Sequence, residues 1–189
     1  MSIAFRPAQP EDARALAELY SFAAGGLAEY MWSLGQDVAV DPLDVGETWF
    51  AQEEGHSSYR HCTVAEVDGA VQGMAQAMPL TEQPESFSEG DPVLAPFDGF
   101  GRTPSLYIDA LACYPAARGR GIGSALLELM ADGARDIGLP QLSLIVYEQN
   151  TDAVRLYERH GFETVERRAI VEHELIRYTG DYLLMVARV

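Results

Sequence analysis

Apolar residues recur with two different periods along this chain, and the switches between them mark out its elements. Residues 3–6 read as a short strand. Pro10-Glu11-Asp12 then fits the opening of a helix, since proline suits the first helical position and carboxylates suit the positive end of the helix dipole. Ala13, Leu16, Tyr20 and Ala23 carry that helix as one stripe until Gly25-Gly26 breaks it. A second helix is expected over 27–34 and a third over 43–52. Residues 60–67 and 70–78 are rich in strand formers and flank Asp68-Gly69, a two-residue hairpin turn.

The second half alternates strand and helix more regularly. Residues 81–104 are acidic and rich in Pro and Gly, with Phe87, Phe97 and Phe100 interspersed, which predicts a long inserted loop. Its aromatics have two roles open to them: closing over a ligand, or anchoring the loop to the body. Ser105–Cys113 is the central strand. Ile122, Leu126, Met130, Ala134 and Ile137 give the next helix a buried stripe, ended by Gly138 and Pro140. A strand over Gln141–Tyr147, a helix over 151–160, and strands over 162–171 and 182–189 complete the reading, with Gly180-Asp181 as the turn before the last strand.

Between the central strand and its helix runs Arg118-Gly119-Arg120-Gly121-Ile122-Gly123-Ser124. A glycine-rich turn entering a helix leaves backbone N–H groups pointing one way at the positive end of the dipole. That geometry binds phosphate oxygens, and Arg118 and Arg120 add arms suited to a pyrophosphate. No Gly-Lys-Ser/Thr follows, so the loop is not a Walker A sequence, and it lies too far along the chain for a dinucleotide turn.

The form Arg-x-x-Gly-x-Gly resembles the acetyl-CoA pyrophosphate loop of the GNAT superfamily of N-acetyltransferases. Residues 150–162, Asn-Thr-Asp-Ala-Val-Arg-Leu-Tyr-Glu-Arg-His-Gly-Phe, resemble that superfamily's other hallmark, an Asn-x-x-Ala-x-x-Leu-Tyr helix closed by Gly-Phe. The resemblance is specific from about residue 106 to 162. It implies an α/β (α+β) GNAT fold: a mixed, mostly antiparallel sheet of about seven strands, flanked by helices, with its central strands splayed apart. It implies acetyl-CoA as co-substrate and transfer of acetyl to a primary amine of a small molecule or peptide, by direct attack in a ternary complex.

The resemblance also assigns roles. The main chain of Leu111, Ala112 and Cys113 would pair with the pantetheine arm, and one of these amides would bind the thioester oxygen. Arg118, Gly119, Arg120, Gly121, Ile122, Gly123 and Ser124 would hold the diphosphate. Asn150 would cap its helix, bond the pantetheine, or both. Tyr157 matches the usual general acid toward the departing sulfur, and packing is its ordinary alternative. Asp109 shares a strand face with Tyr107, Leu111 and Cys113, where some members place a base or its water chain. Ordinary aspartate, with a pKa about six units below that of an alkyl ammonium, is a poor direct acceptor. Asp109 would need burial, would work through water, or would merely hold the ammonium; a structural acceptor role is equally open.

Around 20–32, Glu29, Tyr30 and Trp32 are placed either about an amine or in the core. Of the four histidines, His160 suits a helix end, His61 a strand, and His56 has no assigned role. His173 and Tyr178 lie in the connection before the last strand, where acceptor contacts are expected. No histidine spacing suggests a metal.

Composition bounds the rest. The chain of 189 residues suits a single domain over 1–189. A net charge of −16 argues against a nucleic-acid partner and fits either an acidic solubilising surface or steering of a cationic substrate. No apolar run would span a bilayer, no basic leader or signal core opens the chain, and Cys62 and Cys113 imply no disulfide framework. A cytoplasmic protein without membrane association is expected, with a homodimer plausible for the fold. A non-catalytic CoA-binding module and an acyltransferase using another acyl-CoA or a hydroxyl acceptor are the competing accounts.

Overall fold

The computed structural model describes residues 3–37, 39–82 and 86–189, so residues 83–85 of the expected insertion lie outside the described residues. Among the described residues there are seven strands: β1 (Ile3–Pro7), β2 (Cys62–Val67), β3 (Ala70–Leu80), β4 (Ser105–Cys113), β5 (Gln141–Tyr147), β6 (Glu163–Ala169) and β7 (Asp181–Arg188). The same residues form five α-helices: α1 (Ala13–Ala24), α2 (Leu27–Ser33), α3 (Pro42–Phe50), α4 (Ile122–Asp136) and α5 (Thr151–Arg159). The strand order is β1-β2-β3-β4-β5-β7-β6. β4 and β5 run parallel, whereas β1 with β2, β2 with β3, β5 with β7 and β6 with β7 run antiparallel. This is the mixed, mostly antiparallel sheet expected. The chain divides into two compact units, residues 1–76 with 110–126, and residues 77–109 with 127–189. β3, β4 and α4 each contribute to both.

In the first unit α1, α2 and α3 bury their apolar stripes together with β2, β3 and the end of β4. Leu16, Leu19, Trp32, Phe50, Met74, Ala110 and Ala112 belong to one cluster. Each such leucine or aromatic contributes about 1.5–3 kcal/mol on burial. Tyr20 touches Trp32 at 6.0 Å and Phe50 at 5.6 Å between ring centroids. Tyr30 and Trp32 are both buried, and so belong to the core. The expected start of α1 is a 3-10 turn, Pro10–Asp12, because the Asp12 carboxylate is already engaged. It accepts a bidentate pair from Arg6 at 2.7 and 3.0 Å and the Gln9 N–H at 2.8 Å. The Arg6 guanidinium holds the Asp12 carboxyl below its ordinary range.

α3 begins one residue earlier than expected and ends at Phe50. Asp41 caps it by accepting the Leu43 N–H at 2.9 Å, and Pro42 occupies the first position. On α3, a β-carbon placed on Gly46 would lie 2.5–2.7 Å from three ring carbons of the fully buried Trp32. Gly46→Ala is therefore expected to lower stability by about 1–3 kcal/mol through overpacking, read as a shifted denaturant midpoint with unchanged slope.

His61 is a correction: it lies in a 3-10 turn, Tyr59–His61, not in a strand. Ser58 accepts the Arg60 N–H and so delays the start of β2. The hairpin turn is as expected, with Asp68 and Gly69 both left-handed at φ 51° and 83°.

In the second unit Leu106, Ile108, Leu127, Leu142, Leu144 and Leu184 are buried. The stripe expected of α4 is buried at Ile122, Leu126 and Ala134, half-buried at Met130, and fails at Ile137, which is 56% exposed. The helix ends at Asp136, and Gly138 turns the chain, with its N–H on Arg135 O and the Leu139 N–H on Ala134 O. Beyond the last helical residue the 3.6-residue period no longer governs direction. β6 likewise stops at Ala169, short of Val171.

Residues 87–100 of the expected insertion are anchored within the second unit. Phe97 packs against Tyr182 at 4.7 Å, and Phe100 is buried beneath Arg168, whose guanidinium lies 4.5 Å from the ring centroid. Arg168 also donates to the carbonyls of Pro96, Asp98 and Gly99 at 2.9, 2.5 and 3.3 Å. Asp98 closes the loop on itself by accepting from the Phe87 and Ser88 amides and the Ser88 hydroxyl. Phe87 touches Phe97 at 5.9 Å but remains exposed.

Candidate active site

β4 alternates as its sequence requires. Leu106, Ile108, Ala110 and Ala112 are buried, while Tyr107, Asp109, Leu111 and Cys113 share the half-buried opposite face. Its pairing register with β5 covers Leu106 to Ile108 against Leu142 to Leu144, and both strands run on beyond it.

In the first unit the end of β4 leads through Tyr114 into a 3-10 turn, Pro115–Ala117, and then into the glycine loop. Gly119 and Gly121 take φ 73° and 82°, the left-handed region that L side chains enter only with strain. Nothing lies within 4 Å of a β-carbon built on either, so the loop opens on free space. The first helical bond of α4 runs from the Ala125 N–H to Gly121 O at 3.0 Å. The amides of Ile122, Gly123 and Ser124 thus precede the helical ladder, at the positive end of a helix of 15 residues. Arg118 and Arg120 are exposed on the same turn, and Arg118 Nε donates to Cys113 O at 3.3 Å. Burial pushes the Cys113 thiol up, opposed by the charge of Arg118. Unpaired amides beside two arginines suit an anion, and no protein atom stands over either glycine.

Gly73 on β3 marks a close approach to the start of this turn. A β-carbon there would stand 3.0 Å from Ala112 O, Cys113 Sγ and Ile122 Cγ2. β3 therefore comes unusually close to the end of β4 and the first residue of α4. An isolated glycine inside a strand pattern is the signal for such an approach.

In the second unit Tyr107 is hydrogen-bonded to Asp109, and its phenol is pushed well up by burial first, then by the Asp109 charge and that bond. Tyr157 is buried on α5, and burial pushes its phenol up as well. Its ring is fixed by the way α5 ends. Gly161 is left-handed, its N–H bonds Glu158 O at 3.0 Å, and the Phe162 N–H bonds Tyr157 O at 3.1 Å. This motif normally carries an apolar contact between the same two positions, and Phe162 lies 5.6 Å from Tyr157. His160 sits at the C-cap, as its sequence position suggested. Asn150 caps the other end, accepting the Ala153 N–H at 3.4 Å.

The connection between β6 and β7 is tied to the turn that carries Asn150. Tyr178 stacks on Tyr147 at 4.4 Å, and Gln149 donates to Thr179 Oγ1 at 2.9 Å. His173 Nδ1 accepts the Leu175 N–H at 3.2 Å, which fixes the local turn. Glu172, His173, Glu174, Ile176, Tyr178 and Thr179 line an open depression of about 340 Å³. In the first unit Ser21 Oγ donates to Glu29 Oε1 at 2.5 Å, so that carboxylate is held by α1.

The mixed seven-stranded sheet thus carries a glycine-rich turn between β4 and α4. A sequence profile of the acetyltransferase (GNAT) family matches residues 27–162. The chain belongs to that family. It is 31% identical over 164 residues to the L-amino acid N-acyltransferase MnaT of Escherichia coli (strain K12), covering 86% of this chain and 79% of that protein. It is 42% identical over 66 residues to the mycothiol acetyltransferase of Jonesia denitrificans, a match covering 35% of this chain and only 20% of that protein's length. The fold is similar to that of yncA from Salmonella typhimurium, solved with its cofactor acetyl-CoA, with a TM-score of 0.61 and 21% identity over 100% of this chain and 94% of that one.

Proposed function

We propose that this protein is an acetyl-CoA-dependent N-acetyltransferase acting on a primary amine of a small molecule or peptide, by direct attack within a ternary complex. The observation that carries this reading is the cradle at 118–124: left-handed Gly119 and Gly121, free space above them, and the amides that open α4. Family membership and the name of the MnaT relative support the reaction class, and the acetyl-CoA in the yncA structure supports the co-substrate. Amino acids are accordingly the first acceptors to try.

Acetyl-CoA would supply a thioester already activated toward nucleophiles. The amides and arginines of Arg118 to Ser124 bind its diphosphate, and the main chain of Leu111, Ala112 and Cys113 aligns the pantetheine. One of those amides donates to the thioester oxygen, which in a dry site is worth about 3–4 kcal/mol as charge develops there. Asn150 combines its helix cap with a bond to the pantetheine. Tyr157 donates to the sulfur. Because burial raises its phenol further, proton transfer to a thiolate of pKa about 8.5 is uphill, and its role is that of a neutral hydrogen-bond donor.

An alkyl amine of pKa about 10.4 must give up a proton before attack, at about 4.6 kcal/mol near pH 7. Asp109, beside Tyr107 on the same strand face, holds the ammonium while water takes that proton directly. Asp109→Asn is expected to lower kcat/KM for the amine by roughly 100-fold with the KM for acetyl-CoA unchanged. Full retention of acetyl transfer would remove Asp109 from the mechanism.

Thiol release from acetyl-, propionyl- and succinyl-CoA, measured over amino acids, polyamines, aminoglycosides and peptides, tests the reading. Acetyl-CoA is expected to turn over fastest, with an N-acetylated product. All 13 cationic residues are arginine, so no lysine ε-amine of the chain competes as acceptor. Tight CoA binding with no thiol release across the panel would instead make the chain a CoA-binding module. Faster release from a longer donor, or only with alcohols, would make it a different acyltransferase.

A further inference from the structure

Tyr114 is the residue at which the chain leaves β4 for the glycine loop, and it is fixed from four directions within the first unit. Its N–H donates to Gln72 O on β3 at 3.0 Å, and its carbonyl accepts the Ala117 N–H at 2.9 Å, closing the turn before Arg118. Its hydroxyl donates to Glu18 Oε2 on α1 at 2.6 Å, a length typical of a charge-assisted bond. Its ring meets the exposed ring of Phe22, one turn further along α1, edge-on at 6.0 Å and 80°.

Glu18 is itself positioned. Arg14 Nε lies 3.5 Å from Glu18 Oε1, and Arg14 NH1 reaches Asp44 and Glu47 on α3 at 2.7 and 3.1 Å. A polar chain thus runs from α3 through Arg14 and Glu18 to the phenol of Tyr114. Burial and the Glu18 bond both keep that phenol protonated, so it remains a donor throughout the neutral range. Next to Gln72 on β3, Gly73 approaches Cys113 and Ile122, the residues that flank the same turn.

A loop with two left-handed glycines has little conformational preference of its own. Its amides converge on an anion only if both of its ends are held. α4 holds the far end through its own ladder, and Tyr114 is the near end. We propose that Tyr114 and Glu18 are positioning residues for the coenzyme A diphosphate: their hydrogen bond ties the entry of the 115–121 turn to α1 and so fixes where its amides point. This rests on the reading of the 118–124 loop as the coenzyme A cradle.

The test is CoA titration by calorimetry, with steady-state kinetics, on Tyr114→Phe, Glu18→Ala, Glu18→Gln and the double variant Tyr114→Phe/Glu18→Ala, with thermal melts alongside. Tyr114→Phe and Glu18→Ala are each expected to weaken CoA and raise the KM for acetyl-CoA roughly five- to tenfold, with kcat and the acceptor KM within about twofold of the parent. Glu18→Gln keeps an acceptor oxygen for the phenol and is expected to bind CoA within about twofold of the parent. The double variant is expected to be no weaker than either single one, because both remove the same bond. Affinity unchanged in Tyr114→Phe, or losses that add in the double variant, would overturn the proposal. Failure of the parent protein itself to bind CoA would instead sink the cradle reading.

Discussion

Gly121→Val is expected to raise the Kd for acetyl-CoA by at least about 100-fold while leaving a folded protein. At φ 82° an L side chain is strained by about 1–3 kcal/mol, and a β-branched one sits at the upper end. Nothing of the protein lies within 4 Å of the added β-carbon, so no core clash adds to that figure. The new methyl groups would instead occupy the space assigned to the diphosphate. Relief of the backbone strain would also turn the amides of residues 122–124, which precede the Ala125 to Gly121 bond, away from their common focus. Calorimetry with acetyl-CoA and a thermal melt separate the two effects. An affinity within a few-fold of the parent would mean that the loop is not the cradle.

Tyr157→Phe is expected to lower kcat by roughly 10–100-fold with the Kd for CoA unchanged. An effect at or below the bottom of the usual range for acid catalysis follows from the chemistry, since a buried phenol with a raised pKa polarises the leaving sulfur without surrendering its proton. The sign for pH dependence follows too. A raised pKa keeps the phenol protonated as pH increases, so Tyr157 itself imposes no alkaline fall in kcat below about pH 10. Removing the hydroxyl leaves the ring and its 5.6 Å contact with Phe162, so stability should change little. Unchanged turnover at every pH would reduce Tyr157 to a packing residue.

What the sequence disclosed follows from how local each determinant is. The turn at 118–124 is contiguous and backbone angles demand glycine at 119 and 121, so its shape is legible from adjacent letters, although the second motif at 150–162 is needed to give it a meaning. The face shared by Tyr107, Asp109, Leu111 and Cys113 follows from the two-residue period of one strand. The cap at Asn150 and the closure at Gly161-Phe162 are likewise short-range bonds. Failures occur where local period stops governing direction. Ile137 continues the spacing of α4 but stands just past its last residue, and His61 falls in a turn fixed by the Ser58 side chain.

The contacts that the sequence pattern does not reveal depend on partners distant in sequence. Tyr114 meets Glu18 across 96 positions, and Gly73 owes its identity to Ala112, Cys113 and Ile122. No spacing rule connects such letters. The aromatics of the inserted loop had two roles open for the same reason. Tyr182 and Arg168, which decide in favour of anchoring for Phe97 and Phe100, come some 70 to 85 residues later in the chain.

The central claim is that main-chain amides at 118–124 hold the diphosphate of coenzyme A. Parallel calorimetric titrations with CoA and with pantetheine, which lacks the diphosphate and nucleotide, test it most directly when repeated with 3′,5′-ADP, which carries phosphates but no diphosphate bridge. Saturable binding of CoA, with both fragments at least about 100-fold weaker, is the predicted result. Pantetheine binding as tightly as CoA, or no heat from CoA with folded protein, would contradict it.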